Sequence, residues 1–411
     1  MDPLTEVVRE EWGRLVALLL AQFRRLDLVE DALGDAVEAA QRTWGRDGVP
    51  DNPPGWLLTP ARRRLLDRLR TEEVARRTQP LLATEVQRRG EGVRTMADPG
   101  SLVEDDLLRL VLMCAHPALS REAASALSLR LVLGVPTPDV ARLFLVPEAT
   151  MAARITRAKK RIVGAGIPFA VPDAGVLPER LDTVAHTAYL AFTAGYAPGT
   201  GPDLLRAETS GEAIRLVRVV LGVRPDEPVL VALLALMLLQ HSRRDARVAD
   251  GRLVLLPDQD RSRWHHDEIA EALDLLDHPA LAGPLTAQAA SYTLQARIAA
   301  EHALALRSEE TRWERVVQLY DTLLAVAPSP GARLARAVAV AESRGPAAGL
   351  AALDGVEIPA SHRVAAVRAE LLARDGDAVA ARAAYDQAIA ACRNDVELAH
   401  LRERRRSLDQ R

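Results

Sequence analysis

Six basic side chains lie between Asp139 and Arg161 (Arg142, Arg154, Arg157, Lys159, Lys160 and Arg161), against two acidic ones, Asp139 and Glu148. That is a local charge of +4 in a chain whose formal net charge is −3. Concentrated cations of this kind suit a phosphate backbone. A second concentration lies between Ala61 and Arg77, where seven arginines face three acids. The chemistry both stretches offer is charge neutralisation and hydrogen bonding to a phosphate backbone.

The elements that must carry these cations are helices. Thr137 is expected to cap a short helix running to about Phe144, with Pro138 at its first position and Asp139 beside its positive end. Pro147 and Glu148 suit the start of a second helix, so the spacing is that of a helix-turn-helix. In this second helix Met151, Ile155 and Ile162 share a packing face, while Arg154, Arg157 and Lys160 or Arg161 share another. A plain helical hairpin with a solvated basic face has the same pattern.

Upstream, a helix beginning near Asp27 carries Leu28, Val29, Ala32, Leu33, Ala36, Val37 and Ala40 on one face. Glu30, Asp31, Asp35 and Glu38 are expected on the remaining surface. After the break at Gly45 to Pro54, residues 53 to 70 are expected to bury Trp56, Leu57, Ala61, Leu65, Leu66 and Leu69 and to expose Arg62, Arg63, Arg64, Arg68 and Arg70. His116 and Pro117 mark a turn between two further amphipathic helices within residues 104 to 134, and the histidine is expected to cap or face solvent.

Composition points the same way. Aromatic residues make up 3% of the 411 and hydrophobic residues 48%, with Ala, Leu and Arg prominent, which favours an all-α protein of several domains. Lys159 and Lys160 are the only lysines among the 53 basic residues. Cys114 and Cys392 stand far apart with no metal-ligand spacing, and both are expected to be reduced core residues. The N-terminus lacks the character of a signal peptide, and the apolar run from Val229 to Leu239 is shorter than the ~20 residues a bilayer requires. A cytoplasmic protein without membrane partners is expected.

Asp258, Asp260, His265, His266, Asp267 and Glu268 are the densest group of chemically capable side chains. Adjacent histidines point to different helix faces, unlike a ligand pair at i and i+4. A structural network around Asp258, Asp260, Arg261 and Trp264 is expected instead. Neither catalysis nor a metal or other cofactor is expected.

Taken in order, Leu28 to Ala32, Asn52 to Thr59, Ala61-Arg62 and Leu66 to Arg70 resemble region 2 of extracytoplasmic-function (ECF) sigma factors of bacterial RNA polymerase. Pro138 to Ile162, with Val140-Ala141, Val146-Pro147, Thr150-Met151 and Arg154 to Ala158, resembles their region 4. The resemblance implies that Asp27, Glu30, Asp31 and Asp35 dock on core RNA polymerase, through its β′ subunit, with β as a further partner. It implies that Asn52, Trp56, Arg62, Arg63, Arg64 and Arg68 engage the minus-10 element of promoter DNA. Glu148, Thr150, Arg154, Arg157 and Lys160 would engage the minus-35 element. Two residues depart from the pattern: Gly34 inside the acidic helix, and Pro60, which either opens the basic helix from a Thr59 cap or bends it.

More than half the chain follows region 4. Gly164 to Pro178 reads as a linker. Tyr189 to Tyr196, Val229 to Leu239 and Leu253 to Trp264 resemble the extension of a sigma-factor subgroup that continues into tetratricopeptide-like helices. Gly345 and Gly376 each open a small-residue helix, and their 31-residue separation is near the ~34-residue tetratricopeptide period. Such an array could hold a protein or peptide. The expected organisation is region 2 at 1–75, a linker at 76–103, region 4 at 104–168, a helical extension at 169–280 and tetratricopeptide-like repeats at 281–411. The alternative is a helix-turn-helix regulator that binds duplex DNA alone and senses through its repeats; a scaffold with incidental basic helices is the third reading.

Overall fold

The structure is a computed structural model that describes residues 3–77, 99–144, 146–196, 207–249, 252–358 and 361–408. It contains 18 α-helices and one short two-stranded hairpin among the described residues, so the chain is all-α in substance. Two compact units divide it, Met1–Thr187 and Ala188–Arg411. Most of the linker expected at 76–103 lies outside the described residues.

In the first unit, α1 (Pro3–Phe23), α2 (Leu26–Asp47) and α3 (Pro53–Arg77) pack on one another. The register of α2 follows from its apolar spacing, since Leu26, Val29, Leu33, Ala36, Ala40 and Trp44 are all buried. Gly48, at φ +85°, ends the helix. Asn52 caps α3: its Oδ1 accepts from Gly55 N at 3.0 Å. A Cβ on Gly55 would lie 2.7 Å from the Asn52 side-chain nitrogen, which explains a glycine so early in a helix. Pro60 falls inside α3, and the helix continues through it. The missing N–H deprives the Trp56 carbonyl of its usual donor, which is the local cost of a proline at this position.

Four further helices complete this unit's core: α4 (Pro99–Cys114), α5 (Arg121–Leu131), α6 (Thr137–Leu143) and α7 (Glu148–Gly164). Ser120 caps α5 by accepting from Ala123 N, and His116 Nδ1 accepts from Ala118 N in the preceding turn. The expected Thr137 cap is not used. The helix begins at Thr137 itself with Pro136 in the capping position, because Pro136 has the extended backbone that a cap requires (ψ 145°). α1 packs on α4 and α5 through close backbone approaches. A Cβ on Gly13 would meet the Val132 carbonyl oxygen at 2.3 Å, and Gly134, at φ +70°, lies against the Trp12 ring.

α8 (Leu177–Tyr196) begins in the first unit, where Ser125 Oγ donates to the Thr187 carbonyl at 3.1 Å. In the second unit α9 (Ala207–Val223), α11 (His266–Leu276) and α12 (Ala287–Leu304) surround α10 (Pro228–His241). Every residue of α10 from Val229 to Leu239 is buried, which is why its sequence is apolar on all sides. No helix among the described residues is long and apolar enough to cross a membrane. The hairpin pairs β1 (Val248–Ala249) antiparallel with β2 (Arg252–Leu253), Val248 opposite Leu253.

The remaining helices are α13 (Trp313–Val326), α14 (Pro330–Arg344), α15 (Pro346–Ala352), α16 (Arg363–Asp375), α17 (Ala378–Ala391) and α18 (Asp395–Ser407), and each packs on the next. Gly345 and Gly376, both at φ +92°, make the turns into α15 and α17. Small residues allow close contact: a Cβ on Gly349 would lie 2.4 Å from that of Ala341. The two helices opened by these glycines differ in length, 7 residues against 14, so the 31-residue spacing relates turns of similar form but helices of unequal size.

Candidate nucleic-acid interface

α7 has two faces. Met151, Ile155, Ala158 and Ile162 are buried, at spacings of four, three and four. One position earlier in each case, about 100° round the helix, Thr150, Arg154, Arg157 and Arg161 form a second row, with Arg154 half-buried and the others exposed. Glu148 and Lys160 are also exposed. Arg154, Arg157, Lys160 and Arg161 have no ion-pair partner among the described residues. The turn from α6 is closed by Val146 N donating to the Ala141 carbonyl at 3.1 Å, which sets α7 against α5 and α6.

The second cationic surface is on α3. Leu57, Ala61 and Leu65 face the core, and Trp56 is held edge-on against Trp44 of α2, with ring centroids 5.5 Å apart. Leu66, expected in the buried stripe, is instead exposed (45%). It follows Leu65 by one residue, about 100° around the helix, and so turns outward. There it lines a shallow groove of about 520 Å³ with Thr59, Arg62, Arg63, Asp67 and Arg70. Arg62 and Arg63 are exposed and unpaired among the described residues, so their charge is free to meet a phosphate. Arg64 and Arg68 are not: Arg64 Nε donates to Asp35 at 2.9 Å, and Arg68 Nη1 donates to Asp31 at 3.1 Å.

The acidic face of α2 departs further from expectation. Glu30 is 8% exposed and bridges two cations, with Arg130 of α5 donating to one carboxylate oxygen and Lys159 of α7 to the other. Arg130 also lies over the Trp12 ring, 5.4 Å from its centroid, and donates to the Val135 carbonyl. The cause is burial geometry: Glu30 follows Val29 on the side of α2 that meets α5 and α7, where an unpaired carboxylate would be costly. Asp27 is held by Arg25, whose guanidinium bonds lower the Asp27 pKa against the opposing effect of burial. Asp27, Glu30, Asp31 and Asp35 therefore all have partners within this chain. Sequence reasoning missed Arg130, and no local signal marks it, because its acid partner lies 100 residues earlier.

The group around residue 260 is arranged differently from the expected network. Asp260 caps a 3-10 turn by accepting from Ser262, and Arg261 stacks on Trp264 at 4.5 Å while donating to the Ala305 carbonyl. The denser network is nearby. Glu268 accepts from Arg244 and lies 3.0 Å from His241 Nδ1, while His265 Nε2 lies 2.7 Å from Asp245. Burial would raise the Glu268 pKa, but the His241 and Arg244 contacts outweigh it and keep the carboxylate ionised at lower pH. His265 and His266 do not converge as a ligand pair, since His265 precedes α11 and His266 begins it.

These helices define a class. Residues 109–162, covering the end of α4 through most of α7, match the family model for sigma-70 region 4. That is a DNA-binding, non-enzymatic domain, and the chain is accordingly sigma-factor-like. Residues 180–280 match a family of unknown function, DUF6596. The chain is also 42% identical over 394 residues to an uncharacterized protein of Rhizobium meliloti (strain 1021), covering 93% of this chain and 90% of that protein. It belongs to the same family as that protein.

Proposed function

We propose that this protein is an ECF-type sigma factor that binds core RNA polymerase, directs it to promoters through minus-35 and minus-10 contacts, and promotes strand opening. The observation that carries the reading is the cationic row of α7 within a region 4 domain, exposed at Arg157, Lys160 and Arg161 and without ion-pair partners among the described residues, accompanied by a second such patch, Arg62 and Arg63, on a helix that also bears Trp56. Glu148 and Thr150 stand at the start of α7, where side chains reach bases; Arg154, Arg157 and Lys160 follow along it toward phosphate. Arg62, Arg63, Trp56 and Asn52 form the minus-10 surface, with Arg64 and Arg68 joining once freed from Asp35 and Asp31.

Asp27, Glu30, Asp31 and Asp35 are assigned to polymerase docking. Their partners in the free chain are cations of α3, α5, α7 and Arg25, so docking exchanges internal ion pairs for external ones. In this reading the exposed acids Asp31 and Asp35 release Arg68 and Arg64 toward DNA on docking, while Glu30 stays buried against Arg130 and Lys159. The assignment of residues 1–75 to region 2, 104–168 to region 4, 169–280 to a helical extension and 281–411 to tetratricopeptide-like helices follows the same reading. The consecutive packing of α13 to α18 supports a peptide- or protein-holding role for the last part.

Run-off transcription with purified core RNA polymerase tests the proposal. The full-length protein is expected to yield new promoter-specific transcripts that disappear with R62A/R63A. Absence of any transcript, alongside duplex DNA binding without polymerase, would favour the helix-turn-helix regulator instead.

A further inference from the structure

Three side chains from three helix ends meet in the C-terminal part of the chain. His362 immediately precedes α16, Cys392 immediately follows α17, and Glu397 lies in the first turn of α18. His362 Nε2 and Glu397 Oε2 are 3.2 Å apart, and one ring nitrogen of His362, one carboxylate oxygen of Glu397 and Cys392 Sγ all lie within 4.8 Å of one another. We propose that His362, Cys392 and Glu397 form a binding site for a divalent transition-metal ion of the zinc class, which fastens the junction of α16, α17 and α18.

The donor set decides the kind of ion. A thiolate and an imidazole suit zinc-class cations, whereas calcium and magnesium require oxygen ligands throughout. Ligand atoms around a tetrahedral zinc ion at about 2.0–2.3 Å stand about 3.3–3.8 Å from one another, so the set closes by side-chain movements of about 1 Å. A solvent molecule takes the fourth position. The half-buried His362 and Glu397 side chains, 14% and 21% exposed, leave an approach from solvent.

The backbone under the three ligands is already fixed. Asn394, fully buried, accepts from Val396 N and Glu397 N through its Oδ1, which orders the first turn of α18. The Cys392 thiol donates to the Asn394 carbonyl, turning Sγ along the same short connection. Arg363 approaches the other oxygen of Glu397, Oε1, at 3.8 Å, leaving Oε2 toward His362. On binding, the thiol proton passes to solvent and the Arg363 contact remains on the distal oxygen. A His–Glu contact alone does not account for a thiol converging on it from the end of a third helix.

The test uses full-length protein kept reduced with a phosphine, titrated with Co²⁺ and followed by absorption, then with Zn²⁺ by calorimetry. Expected are one equivalent of bound metal per chain, a thiolate-to-cobalt charge-transfer band with intense tetrahedral visible bands, and displacement of cobalt by zinc. C392S should abolish the charge-transfer band, and H362A should weaken zinc binding at least ten-fold. C114S, which alters the buried cysteine of α4, should change neither. Circular dichroism of C392S at its wild-type value shows that the fold is retained. The proposal is overturned if wild-type protein shows no cobalt–thiolate band, or if C392S and H362A bind zinc as wild type does, which would leave adventitious surface binding only.

Discussion

Lys159 and Glu30, 129 residues apart, form a buried ion pair that joins α7 to α2, and Arg130 completes it from α5. Two cations share one carboxylate in a setting where all three side chains are at most 21% exposed. Removing the acid leaves two buried positive charges side by side, a worse outcome than removing either cation.

E30Q should accordingly destabilise the first unit by about 2–4 kcal/mol, read by urea unfolding. K159M should cost less, and a double-mutant cycle between the two should give a coupling of at least about 1 kcal/mol. Additive effects would show that the pair contributes nothing to holding α7 on α2.

Charge on the proposed DNA surface should appear in salt dependence. R157A and K160A are each expected to weaken DNA binding across sequences and to reduce the slope of log K against log salt by about 0.9 for each phosphate no longer neutralised. R142A supplies the contrast, since Arg142 is paired with Asp139 in α6. An equal weakening by R142A would mean that general charge, and not the face of α7, governs binding.

Gly34 lies inside α2, and beyond its chain neighbours and the helix's own backbone no atom of the described residues comes within 4 Å of where its Cβ would stand. G34A should therefore raise stability by about 0.5–1 kcal/mol, as expected when a helix-interior glycine gains a methyl group without a clash. A lowered melting temperature would count against the helix packing described for α2.

His302 stacks edge-on against Trp313, and burial, with Arg243 and Arg261 nearby, lowers its pKa to about 4. Its ordinary value is near 6.5, so below that pH the unfolded chain takes up a proton that the folded chain refuses. The stability this histidine confers is complete above about pH 6.5 and is lost as the pH falls toward 4. The loss is on the order of 2 kcal/mol after allowing for partial exposure. H302Q should flatten this slope in thermal unfolding between pH 7 and 5; an unchanged slope would place the effect elsewhere.

The helical class is legible in the sequence because apolar residues recur at helical spacing, as in Met151, Ile155 and Ile162, and that signal is local. The helix-turn-helix is legible for the same reason. Glu30 reads in the sequence as a surface acid, yet its burial depends on Arg130 and Lys159, which no window of sequence joins to it. Leu66 reads as core, yet a single position of rotation separates core from groove. Likewise, the convergence of His362, Cys392 and Glu397 depends on how α16, α17 and α18 meet. Periodicity reports which side of a helix is dry, but not which distant element makes it so.

The scarcity of lysine gives the chain a built-in reporter. Lys159 and Lys160 are the only lysines in 411 residues, and both lie in α7. A protease that cuts only after lysine therefore has two target bonds in the entire molecule, both shielded while that helix is wound and docked. The rate of such cleavage measures how often α7 unwinds or lifts away from Glu30, with no label attached. Amine acylation would divide the pair in the same way, marking exposed Lys160 at once and Lys159 only when its salt link opens.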